Sequence, residues 1–187
     1  MAGINAAEVR VAGSGNIYKA PLGTALPTDS TTALNAAFKD LGYAEDGFKV
    51  AQEYDTDDVN VWQTLEVVRL IPKGIKRSLS FTLMQSSADV LTFAWGGAAI
   101  VTNTGNLYTL DLPDASTILE YAFVIEWTDG TSKQRIVVPR ASVTKLPEIE
   151  FGRMGAVKYE FELRALVPSG GGDTMLIYGK DAVVNPT

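Results

Sequence analysis

Apolar and polar residues alternate along short stretches of this chain, and a period of two is the signature of half-buried strands. Residues 78–84 place Leu79, Phe81 and Leu83 on one face, with Ser78, Ser80 and Thr82 on the other. Residues 118–127 put Tyr121, Phe123, Ile125 and Trp127 on one side. Asp129-Gly130 then predicts a hairpin turn, because glycine tolerates the positive φ such turns need. The returning strand carries Ile136, Val137 and Val138. Pro139 has no amide to donate, so a bulge, edge or break is expected there. Alternation is strictest over 157–167, with Val157, Tyr159, Phe161, Leu163 and Ala165 inward and Lys158, Glu160, Glu162 and Arg164 outward. Ser169-Gly170-Gly171-Gly172 predicts a flexible turn before a short strand at 175–178.

One segment has a helical period. Ser86 is the expected N-cap, with Asp89 three residues on closing a capping box. Val90, Leu91 and Ala94 form the apolar face, and Gly96-Gly97 ends the helix. A second, weaker helix is predicted over 33–41, with Leu34, Phe38 and Leu41 on one side and Gly42 as its stop. Residues 21–32 are rich in Thr, Pro and Ser and predict a loop; Gly13-Ser14-Gly15 predicts a turn. Residues 1–14 are small and polar and predict an N-terminal arm. Residues 15–178 predict one β domain, interrupted by a long charged loop at about 45–75, and 179–187 predict a C-terminal tail. No internal repeat or low-complexity tract occurs. The fold class expected is mainly β, a sandwich or barrel with one packed helix, a long loop and extended arms.

Composition narrows the chemistry. The 187 residues are 46% hydrophobic and 20% charged, ordinary values for a globular protein with a sizeable core. No apolar run is long enough to span a bilayer as a helix, and residues 1–5 do not read as a secretory signal. The chain has no cysteine and no histidine. Thiol catalysis, disulfides and the commonest general base and metal ligand therefore fall away together.

The net charge of −6 argues against electrostatic capture of nucleic acid. Its distribution is uneven. Residues 45–66 hold Glu45, Asp46, Glu53, Asp55, Asp57, Asp58 and Glu66 against Lys49 alone. Arg69, Lys73, Lys76 and Arg77 follow directly, with no acid among residues 67–77. A second basic block comprises Lys133, Arg135, Arg140 and Lys145.

Each constellation has a chemical and a plain reading. Glu148-Ile149-Glu150 and Glu160-Phe161-Glu162 each set two carboxylates on one strand face, the arrangement of a glycosidase acid pair; a solvated strand face is the reading preferred. Asp55-Thr56-Asp57-Asp58 resembles part of a calcium loop but lacks its central glycine and closing glutamate. The basic cluster 69–77 has no aromatic stacking residue, and its acidic neighbour would repel phosphate, so pairing with an acidic surface is preferred. Trp62 and Trp95 are expected as core or interface anchors.

Several ordered pieces resemble a known family. They are Ala20-Pro21-Leu22-Gly23-Thr24 with Pro27, the run Leu41-Gly42-Tyr43-Ala44-Glu45-Asp46-Gly47, Trp62, the helix at 88–95, Val138-Pro139-Arg140-Ala141 and the strand 156–163. In that order, over roughly residues 15–168, they resemble the major tail tube protein of long non-contractile-tailed bacteriophages. One departure is that Gln63-Thr64 stand where the family often has Gly-Gly.

The resemblance implies a structural, non-enzymatic subunit without cofactor or metal. It implies six-fold rings stacked head-to-tail into a hollow tail tube that conducts DNA without binding it specifically. The implied partners are other copies of the chain and the tape measure, tail terminator and tail tip proteins, with no membrane. The implied location is the virion, after assembly in the host cytoplasm. Residues expected between subunits or rings are Glu53, Asp55, Asp57, Asp58, Trp62, Arg69, Lys73, Lys76 and Arg77; Glu160 and Glu162 are expected to face the lumen. Two other readings remain: a tube component of a contractile injection or type VI secretion machine, and a carboxylate-only hydrolase on a β-sandwich.

Overall fold

The computed structural model describes residues 9–103, 105, 107–112, 118–153 and 155–181. The elements in chain order are β1 (Ser14–Ala20), β2 (Lys39–Asp40), β3 (Ala44–Val59), β4 (Arg69–Leu83), α1 (Ala88–Ala94), β5 (Ala99–Asn103), β6 (Leu107–Asp111), β7 (Glu120–Asp129), β8 (Ser132–Lys145), β9 (Ile149–Glu150), β10 (Lys158–Ala165) and β11 (Leu176–Lys180). The main sheet runs β2-β1-β7-β8-β10-β4-β3, with every pairing antiparallel. Strand β8 forks: its first half pairs with β11 and its second with β10. Strands β5 and β6 form a separate hairpin.

The sheet curls into a barrel-like shell. Phe81 of β4 and Phe123 of β7 have ring centroids 6.3 Å apart although two strands lie between them in the sheet. Helix α1 plugs the interior, where Phe93 stacks on Phe161 at 4.3 Å. The alternation of β10 is as expected: Tyr159, Phe161, Leu163 and Ala165 are buried and the residues between them exposed. Leu79, Phe81 and Leu83 of β4 line the same core.

Residues 41–43 join the two ends of the sheet. Strands β2 and β3 are its opposite edges yet neighbours in sequence. The Leu41 amide donates to Ile17 of β1 at 2.9 Å, and the Met84 amide donates to Tyr43 at 2.9 Å. Gly42 sits at this crossing with φ 78°, its amide held by the Asp40 carboxylate at 2.8 Å. The positive φ favours glycine, and a Cβ there would in addition displace the end of the Gln85 side chain, 2.1 Å away.

The middle of β7 and of β8 and the end of β1 are buried on both faces. A second cluster of Ala20, Phe38, Ala122, Val124 and Val137 packs on the outside, with Leu26 and Leu34 from the preceding loop against it. Arg135 is 2% exposed there; it bonds Glu126 at 2.7 Å and the Asp29 carbonyl at 2.6 Å. Asp29 accepts from the amides and hydroxyls of Thr31 and Thr32, which shapes the loop around it.

Several expectations are corrected. The helix predicted over 33–41 is absent: the Asn35 side chain accepts from the Ala37 amide in a turn, and Lys39–Asp40 form β2. Leu34 and Phe38 then pack outside while Leu41 packs inside. The N-cap of α1 is Ser87, whose hydroxyl accepts from the Val90 amide; Ser86 instead bonds the Tyr159 hydroxyl at 2.9 Å. The excursion at 45–75 is two long strands, not a loop. Ser14 and Gly15 belong to β1 rather than a turn, and a Cβ on Gly15 would meet the Glu126 carbonyl at 2.4 Å. The strand expected at 175–178 is Leu176–Lys180, so the predicted tail begins within it. Within the predicted arm, Arg10 pairs with Asp181 at 2.6 Å and the Val11 amide donates to Asp129. Residues 1–8 and 182–187 lie outside the described residues. The hairpin β5–β6 was not expected at all. The turn between Asp129 and Ser132 and the irregular register opposite Pro139 are as predicted.

Candidate inter-subunit surface

The hairpin β3–β4 is the largest feature that the core does not explain. Strand β3 has 16 residues, so at about 3.3 Å per residue it runs for about 50 Å. Only its start and the end of β4 touch the core. Beyond Arg77, β4 pairs with β3 alone. A two-stranded ribbon with water on both faces is marginal by itself.

The charged residues singled out in sequence meet along this ribbon. Lys73 pairs with Asp57 at 2.6 Å and Lys76 with Asp55 at 3.3 Å. The acidic and basic limbs are therefore the two strands of one hairpin, and the Asp55–Asp58 run is a strand segment rather than an ion-binding loop. Arg77 bonds Gln52 at 3.2 Å and Thr174 at 2.7 Å, which ties the base of the ribbon to the barrel. Glu53 stands opposite Lys76, Asp58 opposite Leu70 and Val59 opposite Arg69. Exposed ion pairs of this kind contribute little stability. They do fix which residues face one another.

Charge is not the main property of the ribbon. Trp62 is 93% exposed and Leu65 fully exposed at its tip. Tyr54, Val67, Val68, Leu70, Ile71 and Ile75 are also exposed along it. Tyr54 and Ile75 face each other across the ladder. Trp62 thus stands clear of its own core, and of the two expected anchors only Trp95 packs on the core. Sequence reading missed the apolar residues because the charge segregation drew attention first. Their signal was present: apolar residues recur through 65–75 without the alternation that a half-buried strand shows. The hairpin β5–β6 adds a smaller exposed set, Val101, Leu107 and Tyr108.

Glu160 and Glu162 stand on the outer, wet face of β10. They face Thr82 and Ser80 of β4, with Lys145 beyond Glu162. That face is open and shallow. Lys145 is held by Glu148 at 3.0 Å, and the bond from Glu148 raises the ammonium pKa above its usual value. Every cation of the second basic block is paired within the fold, four cations on three carboxylates. Lys133 and Arg135 pair with Glu126, and Arg140 makes two bonds of 2.9 Å to Glu120. Among the described residues, no cluster of carboxylates is arranged to hold a metal ion.

One lysine is buried. Lys19, 8% exposed, points into the end of the barrel with its ammonium 4.7 Å from the Phe93 ring and 4.6 Å from the Tyr121 ring. Burial lowers its pKa, and Asp89 opposes that shift.

The molecule is a curled β shell with one packed helix and an exposed apolar arm as its candidate surface. The family comparison makes this specific. The family model described as "Phage tail tube protein" matches residues 2–187, and the chain belongs to that family. It is therefore a structural protein of a tail tube, which self-assembles within a virion. No curated protein matches the chain. Among solved structures, a chain described as "Virion of native gene transfer agent (GTA) particle" matches at 12% identity and a TM-score of 0.40, covering 79% of this chain and 92% of that one.

Proposed function

We propose that this chain is the repeating subunit of the tube wall, forming six-fold rings that stack head-to-tail around a channel through which DNA passes. The observation that carries the reading is the β3–β4 ribbon, which leaves Trp62 and Leu65 uncovered at the end of an arm that runs about 25 Å beyond its base at Gln52 and Arg77. An apolar tip held that far from its own core is suited to a neighbouring copy. A head-to-tail contact needs two different complementary surfaces on each copy, and an arm with a body supplies two.

In this reading Glu53, Asp55, Asp57, Asp58, Trp62, Arg69, Lys73, Lys76 and Arg77 lie between subunits or rings, and Glu160 and Glu162 face the channel. A conduit must not hold phosphates. The internal pairing of Lys133, Arg135, Arg140 and Lys145 supports this, because it leaves those cations engaged with carboxylates. Tape measure, terminator and tip proteins are the further partners, assembly takes place in the host cytoplasm, and there is no catalytic step. Negative-stain microscopy of the purified protein tests the proposal. Stacked rings or tubes with an axial channel are expected; small monodisperse particles at every concentration and salt tried would overturn it.

A further inference from the structure

Beside the 41–43 crossing the barrel wall is incomplete. Among the described residues, β1 has no partner on its outer side below Ile17, and the outer edge of β3 is likewise free. Between these two open edges lies a groove of about 1000 Å³. Its apolar lining includes Ile125, Trp127 and Phe48, and its charged lining residues are Asp40, Glu45 and Asp46, with no lysine or arginine among them. Glu45 is paired with Lys158, and Asp40 is held by Asn16. Asp46 is exposed and has no ion pair among the described residues.

We propose that this groove is the receptor for the tip of the β3–β4 ribbon of a second copy, with Trp62 and Leu65 against the apolar floor and Arg69 against Asp46. The proposal rests on the tube reading above and names the surface the arm meets. The two surfaces match in character: the tip offers exposed apolar side chains and a cation, the groove an apolar floor and an unpaired carboxylate. Arg69, like Asp46, has no ion pair among the described residues. The match cannot be satisfied within one copy. Strand β3 leaves the groove at Phe48 and carries the tip about 35 Å away from it. Tip-into-groove contacts are also heterologous, so they propagate instead of closing on a pair.

The test uses full-length chain assembled into tubes, with the photoreactive residue p-benzoylphenylalanine in place of Trp62 and, in a second variant, of Leu65. Irradiated tubes are digested and the cross-links mapped. Cross-links from either position to residues 42–48 or 125–127 of another copy are expected. Tubes whose cross-links map elsewhere overturn this inference and leave the tube reading standing; failure of the unmodified chain to form tubes overturns the tube reading, and this inference with it. A charge exchange is independent of the probe. Arg69→Asp and Asp46→Arg each raise the protein concentration needed for tubes by about tenfold or more, because each sets like charges together. The combined variant restores assembly. Failure of the pair to rescue, with both chains folded by circular dichroism, counts against the contact.

Discussion

At the scale of single residues, the interior is aromatic and tightly specified. Phe161 touches both Phe81 and Phe93, with ring centroids 5.6 Å and 4.3 Å away. Phe161→Ala removes a fully buried ring from the strand that joins β4 to β8 and costs about 3–5 kcal/mol. Denaturant melts check this, and a loss under about 1 kcal/mol would contradict the observed inward register. Asp29 is the residue whose pH response has a clear sign. The hydroxyl of Thr32, followed by the amides of Thr32 and Thr31, holds its carboxyl well below the ordinary value of 3.8. A depressed folded-state pKa contributes stability that is present above the unfolded value and is lost as pH falls through the folded one. Wild type therefore loses stability below about pH 4 more steeply than Asp29→Asn does, measured by melts along a pH series. Lys19 has a linkage of the same sign at the alkaline end of the range. Its pKa is lowered by burial, so its charged form opposes folding below that pKa, and the penalty fades as pH rises toward 10.5.

At the scale of elements, the β3–β4 ribbon invites two measurements. Replacing Arg69, Lys73, Lys76 and Arg77 together with glutamate sets acid against acid along the ladder. We expect loss of tubes, seen by microscopy, with cooperative melting of the barrel retained. Tubes like wild type would remove these residues from the interface. Amides at 50–75 exchange faster than those at 79–83 in the free chain and become protected on assembly; equal protection in both states would contradict an arm that orders on a partner. The strands at 78–84, 118–127 and 157–167 were legible in sequence because each has one face in a common core, and burial enforces a period of two. The returning strand was legible through Ile136, Val137 and Val138 and the Asp129-Gly130 turn before them, since consecutive residues of β8 are buried there. The ribbon was legible only as segregated charge. Its strands have two wet faces, so no alternation marks them. The segment at 33–41 misled for the reverse reason: Leu34, Phe38 and Leu41 have helical spacing but serve two different clusters on opposite sides of the sheet. Ser86 and Ser87 are both competent caps, and sequence could not choose between them, because the choice depends on the Tyr159 hydroxyl from a distant strand.

At the scale of the whole molecule, the proposed channel makes a claim about the outer face of β10. Glu160→Lys with Glu162→Lys converts that face to a basic one beside Lys145. If it lines the channel, phosphate attraction slows genome ejection at low salt, and raising the salt relieves the defect. Ejection rates from assembled particles read the effect; normal rates at low salt, with tails of normal length, would remove these residues from the channel. Strand β4 bears on assembly in a different way. One unbroken run, Arg69–Leu83, is both the far limb of the exposed ribbon and a wall of the aromatic core, where Leu79, Phe81 and Leu83 are buried. The molecule thus has a covalent tether between periphery and interior, irregular in register between Pro72 and Gly74 and free of glycine from Ile75 to Leu83. Restraint applied to the ribbon below Gly74 is carried along covalent backbone to the packing around Phe93. A subunit gripped by its arm is in consequence also a subunit whose core is harder to open.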